Sequence, residues 1–186
     1  MTSTPTEPAA VPGAAVPDYD PDSPDPQPEP ALRSLIATVE RQGAELELTS
    51  FSQADAVVLG QLLLELGTSR RLPIAIDIRK SRHVLFHVSL PGATPDNEGW
   101  VRRKSRTAWR YGEPSLLVGL RSRLDGTTLE DQPWFDASRF ASHGGAFPVV
   151  VTGTGCVAVV TVSGLPQKDD HDLVVEALRM FQARTS

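Results

Sequence analysis

The 186-residue sequence predicts an α+β fold with a mostly antiparallel sheet. Two observations carry that prediction. Two stretches, 73–90 and 147–163, show strand patterning around short turns, and a helical block separates them. No repeating strand–helix–strand unit is present, as a parallel sheet would require.

Residues 1–30 hold nine of the 16 prolines, six acidic residues and no Lys or Arg. Proline removes backbone donors, and few large apolar groups offset the ordering entropy. A disordered, partly polyproline-like tail is expected. It serves either as a solubilising extension or as a docking arm. The folded domain is expected over 31–186. Leu32, Leu35, Ile36 and Val39 recur at helical spacing, and Gly43 is expected to end that helix. Glu45-Leu46-Glu47-Leu48 alternates and predicts a short strand with one wet face. Ser52 caps the next helix, with Asp55 at its third position and Phe51 just before the cap. Leu59, Leu62, Leu63 and Leu66 form its buried face, and Gly67 closes it.

The first hairpin constrains a site. Ile74, Ile76 and Ile78 share one face of the first strand; Ala75, Asp77 and Arg79 share the other. On the second strand Val84, Phe86, Val88 and Leu90 alternate with His83, Leu85, His87 and Ser89. A common core places Ile78 opposite Val84 and Ile76 opposite Phe86, and a one-residue slip would reverse the faces. This register gathers Asp77, Arg79, His83 and His87 on the second face. If a helix covers that face the cluster is a buried polar site; otherwise it is solvated.

Thr94-Pro95-Asp96 opens the next helix with a capping hydroxyl, a first-position proline and an early acid. That helix carries Trp100, Arg102, Arg103, Lys104, Arg106, Trp109 and Arg110. Arg103, Arg106 and Arg110 share a face. They form either a clamp for carboxylates or phosphates or a solvated charged face with the tryptophans turned inward. A helix from Pro114 buries Leu116, Leu117, Leu120 and Leu124 and ends at Gly126. Residues 127–142 predict an irregular loop pinned by Trp134, Phe135 and Phe140. The closing strands, 147–152 and 156–163, turn at Gly153-Thr154-Gly155. Val157 and Val159 fall on one face and Ala158, Val160 and Val162 on the other, which predicts a central strand covered on both sides. The last helix begins near Pro166, with Asp169, Asp170 and Asp172 at its positive end. Val174, Ala177, Leu178 and Phe181 face inward.

The formal charge of −5 is uneven. Six of the 23 acids lie in 1–30, which leaves 17 acids against 18 bases elsewhere, a balance near +1. Bulk nucleic-acid binding needs a broad basic face and is not expected. The single cysteine, Cys156, cannot form an internal disulfide. That fits a reducing cytoplasm, and Cys156 reads as a small core residue. The N-terminus shows no secretory pattern. No apolar run approaches the roughly 20 residues that span a bilayer. A cytoplasmic protein without a membrane partner is expected.

No metal site is expected. His83 and His87 share a face, but four strand residues span about 13 Å, too far for two imidazoles on one zinc. Neither CxxC nor HExxH occurs. Ser163 lacks a nucleophile elbow, and Gly153-Thr154-Gly155 is too short for a phosphate loop. No catalytic residue is assigned, and enzymatic activity stays open. In His143-Gly144-Gly145 the two glycines let the backbone approach a ligand closely or adopt positive φ. His143 is either a binding residue or a plain loop histidine. His171 lies in the first turn of the last helix, where the helix end disfavours imidazolium. It is either a neutral hydrogen-bond partner in a pocket or exposed.

Several motifs recur in order: GGAFPV at 144–149, Gly153 to Gly155, and VSGLP at 162–166 followed by Asp170-His171. Upstream stand LTSFSQADA at 48–56, AIDIR at 75–79, and LPGATPDN at 90–97 with Trp100 and Arg103-Lys104. On these motifs, which cover most of 45–183, the chain resembles the HbpS/GlcG-like heme-degrading domain family. The resemblance implies a profilin- or PAS-like five-stranded, mostly antiparallel sheet with helices on both faces. It also implies a homo-oligomer, with heme or another small anionic molecule as ligand. The expected site lies between the sheet face and the basic helix. Asp77, Arg79, His87, Arg103 and Arg106 line it, Phe147 and the tryptophans give an apolar slot, and His143, Gly144, Gly145 and His171 form the rim. Under that implication His143 is the imidazole best placed for heme iron. The alternative is an oligomeric interaction module without ligand, whose acidic tail recruits a partner.

Overall fold

The structure is a computed structural model and describes residues 18–185. The helices are α1 (Glu29–Glu45), α2 (Gln53–Ser69), α3 (Pro95–Tyr111), α4 (Ser115–Leu124) and α5 (Gln167–Thr185). The strands are β1 (Ala75–Lys80), β2 (His83–Ser89), β3 (Ala146–Val151) and β4 (Gly155–Ser163). They form one antiparallel sheet in the order β2-β1-β4-β3. The both-faced apolar pattern of β4 is explained by its central place. Val160 and Val162 join Ile76, Ile78, Phe147 and Val149 in the core. That face is covered by Leu59, Leu62 and Leu63 of α2 and by Val174, Leu178 and Phe181 of α5. Each such side chain contributes about 1.5–3 kcal/mol when fully buried. On the opposite face Val159 and Ala146 pack under Ala108 of α3. Outside these layers, α1 and α4 bury Leu32, Ile36 and Val39 against Leu116, Leu117 and Leu120.

The helix starts follow their local chemistry. Ser52 and Asp55 exchange reciprocal hydrogen bonds at α2, as do Thr94 and Asn97 at α3. Gly112 ends α3 in the left-handed region at φ 67°.

Three expectations change. The sheet has four strands, not five. Gly43 stays inside α1, which runs on through Glu45, the first residue of the expected strand, and is capped by Leu46. Only Leu48 reaches the sheet, as a single parallel bridge to Val151. Its N–H donates to Val150 O at 2.9 Å and its carbonyl accepts from Thr152 N at 2.9 Å. Second, the expected disordered tail divides. Residues 1–17 lie outside the described residues, whereas Tyr19 packs beside α1 and α4 and Pro21 is buried.

Third, the first hairpin has a different register. Ile78 pairs with Phe86 and Ile76 with Val88, two residues from the expected alignment. A shift of two preserves the faces. Beyond Ile78 the pairing moves to Arg79 with Val84, and Leu85 has no partner in β1. This bulge reverses the face of everything before it in β2. His83 therefore pairs with Lys80 and leaves the Asp77 cluster.

Candidate functional site

Helix α3 covers the second face of the sheet, so the polar cluster is an interior one. Asp77 is fully buried. Arg79 grips it with two guanidinium nitrogens, Nη2 donating to Oδ2 at 2.7 Å. Those hydrogen bonds raise the Arg79 pKa against the opposing effect of burial. His87, directly opposite Asp77 in the register, places Nδ1 at 3.2 Å from Oδ2. Its Nε2 lies 3.4 Å from Glu98 Oε2 on α3. Asp77, Arg79 and His87 thus meet as expected, with Glu98 added by the helix. The cluster ties β1, β2 and α3 together and fixes the direction of Arg79.

Arg79 points into a cleft of about 470 Å³ beside α3. The cleft is lined by Arg79, Arg82, Arg102, Arg106, Arg110 and Arg139, with Trp109, Phe140 and Val159. None of the described residues that line it is acidic. Several of these cations are held in place. Arg102 pairs with Glu98 at 2.8 Å. The guanidinium of Arg110 stacks 3.8 Å above the Trp134 ring, and Trp134 meets Phe140 edge-on at 5.1 Å. This aromatic group anchors the 127–142 loop and carries Arg139 to the cleft mouth. Trp109 is not turned inward; at 39% exposure it remains open beside the arginines. An arginine cluster with ring faces is suited to a planar anion, because guanidinium forks match carboxylates and phosphates.

Lys104 takes a different direction from its basic neighbours. It is buried, and its ammonium donates to Gly144 O at 2.8 Å, Val162 O at 2.7 Å and Asp170 Oδ2 at 2.9 Å. Burial lowers the Lys104 pKa and raises that of Asp170, and the attraction between them opposes both shifts. Asp170 Oδ1 also accepts from Leu165 N at 3.0 Å. The glycine pair follows from this contact. A Cβ on Gly145 would run into Val162 O and the Lys104 ammonium, and Gly145 has φ +115°. A Cβ on Gly144 would strike the Gln167 carbonyl. The GG, SG and Asp170 motifs therefore build one structural knot around Lys104.

The remaining expected residues separate. Arg103 stacks over Trp100 at 4.0 Å, and Trp100 meets the His143 ring at 4.8 Å. These rings border a second pocket, of about 250 Å³, that also includes Lys104, Gly144, Gln167 and Asp22. The His143 residue remains exposed at that rim. Partial desolvation, and then the Lys104 charge, lower its pKa. His143 does not line the arginine cleft. Phe147 faces the α5 core and lies 5.7 Å from the His171 ring, so it offers no slot. His171 is interior, not at a rim. Its Nε2 meets Gln42 Oε1 at 2.9 Å, while its Nδ1 has no hydrogen-bond partner.

The sequence did not mark Arg82, Arg139 and Phe140 as site residues. Arg106 and Arg110 were legible from helical spacing. Arg82 and Arg139 come from a turn and a loop, and no periodicity marks them.

A family model described as haem degrading protein HbpS-like matches residues 51–179. A UPF0303 protein of Streptomyces avermitilis is 49% identical over 156 residues, covering 84% of this chain and 96% of the relative. The crystal structure of the Ybr137w protein is similar at TM-score 0.74 and 30% identity, covering 81% of this chain and 88% of that one. The crystal structure of a PduOC:heme complex shares the fold at TM-score 0.61 and 16% identity, covering 70% and 94%. On the family match and these relatives, the chain belongs to the HbpS-like family.

Proposed function

We propose that the chain binds a small, flat, anionic ligand of heme-like character in the arginine cleft beside α3. The observation that carries this reading is the convergence of six arginines and two aromatic rings on one cleft without an acidic lining residue. Its volume lies in the range of about 300–1,000 Å³ usual for small-molecule sites, and the His143 pocket, at about 250 Å³, lies below it. A protein of this fold has been solved as a heme complex, which makes hemin the first probe. The cleft fits a porphyrin in part. Its cations suit the carboxylates, and Trp109 and Phe140 suit the ring. No His, Cys, Met or Tyr is among the lining residues, so it offers no usual iron ligand. Among the described residues no group of three or more His, Cys, Asp or Glu is placed to hold a metal ion. The proposal therefore rests on carboxylate and ring contacts, and other flat organic acids share that chemistry.

Salt tests it. Binding through exposed guanidinium groups is screened as ionic strength rises. Hemin should give a saturable Soret shift whose affinity falls steeply with added chloride. No saturable shift would end the heme reading. A shift indifferent to salt would end the arginine assignment.

A second reading, a homo-oligomeric interaction module, is favoured by exposed Val57, Val58, Val84 and Tyr111. Light scattering that returned the 20.1 kDa chain mass at micromolar concentration would count against it.

A further inference from the structure

The acidic segment before α1 is attached to the second pocket through the backbone and side chain of Gln167. Gln167 N donates to Asp22 Oδ2 at 3.0 Å. Gln167 Nε2 donates to Pro21 O at 2.9 Å and to Asp22 Oδ1 at 3.2 Å. The other end of the same amide, Oε1, accepts from Gly144 N at 3.3 Å. Gln167 is buried, so this amide is a fixed coupler rather than a surface contact. Its two ends connect the acidic segment to the glycine loop that carries His143.

The segment is also built as a unit. Asp20 N donates to Gln27 Oε1 at 2.7 Å, Asp22 N to Asp20 Oδ1 at 2.9 Å, and Asp25 N to Ser23 Oγ at 3.2 Å. These bonds close residues 20–27 on themselves, while Tyr19 and Pro21 pack the segment against the body. Asp22 is exposed, so water and solutes reach its carboxylate.

We infer that residues 18–28 are a strap that borders the Trp100–His143 pocket and steadies its glycine loop, with the Asp22 carboxylate as a displaceable latch. The competing ligand class follows from the donors. A free carboxylate can accept from Gln167 N and Nε2 as Asp22 does. The strap competes with it at an intramolecular effective concentration, so a carboxylate binds weakly while the latch is present.

The experiment uses the full chain and amide hydrogen exchange. In Asp22→Ala, the Gly144 and Gln167 amides should both exchange at least about fivefold faster, since a charged acceptor has been removed from the coupler. Sodium acetate, compared with chloride at equal ionic strength, should restore protection in Asp22→Ala and change little in the unmodified chain. Asp22→Asn, which keeps the shape, should fall between the two. Asp25→Ala, a change confined to the segment's own turn, should leave both amides as they are and reports that the fold is intact. A change at Gln167 with none at Gly144 would reduce Asp22 to a simple helix cap and overturn the strap. Failure of acetate to restore protection would overturn the latch.

Discussion

Acidification should unfold this protein partly through one interior histidine. His171 is fully enclosed between α5, α1 and the Phe147 ring, with one nitrogen on Gln42 and Nδ1 facing no partner. Burial pushes its pKa from 6.5 down to about 4. The folded state therefore binds fewer protons than the unfolded state between those values. Stability from the neutral ring is complete above pH 6.5 and is lost as pH falls toward 4. At roughly 1.4 kcal/mol per pH unit, the interval corresponds to about 3 kcal/mol. The full value applies because the ring is not solvent-screened. Urea unfolding at pH 7 and pH 4 should show the loss. His171→Gln removes the titration and keeps a polar side chain. Its stability difference between the two pH values should be smaller than that of the unmodified protein by about 3 kcal/mol. Equal pH dependence in the two proteins would refute the assignment.

Other outcomes follow from the knot around Lys104 and from Cys156. Asp170→Ala leaves a buried ammonium without its carboxylate and should cost about 3–5 kcal/mol by denaturant unfolding. Lys104→Met combined with Asp170→Leu should recover much of that loss, because no uncompensated charge then remains inside. Gly145→Ala sets a Cβ against Val162 O and Lys104 at φ +115°, and should cost more than about 2 kcal/mol. Burial pushes the Cys156 thiol up to about 11. Iodoacetamide at pH 8 should leave it unlabelled in the folded protein and label it fully in urea.

The layers of the fold were legible because each element carries a strong local pattern. β4 shows apolar residues on both faces, α2 has its Ser52–Asp55 box, and α3 opens with Thr94-Pro95. What was not legible depends on events between elements. A bulge at Leu85 separates His83 from His87, and no residue type announces it. The strand expected at 45–48 disappears because helix propagation passes through Gly43. The site divides in the same way. Asp77, Arg79 and His87 follow from strand alternation, and Arg106 and Arg110 from helical spacing. Lys104 lies in the same basic run but points inward, a direction that only the helix rotation against β4 determines. His143 was singled out by its glycines, yet those glycines are required by the Lys104 ammonium and the Gln167 carbonyl. The motif marks a structural contact first.

The most direct test of the arginine cleft is a hemin titration followed at the Soret band in three proteins. The unmodified chain should give a saturable shift. Arg106→Ala with Arg110→Ala removes two cleft cations and should weaken binding at least about tenfold, since each charge-assisted contact is worth more than a neutral one. His143→Ala should bind as the unmodified chain does, because His143 borders the other pocket. Binding that survives the double arginine change and vanishes in His143→Ala would contradict the assignment.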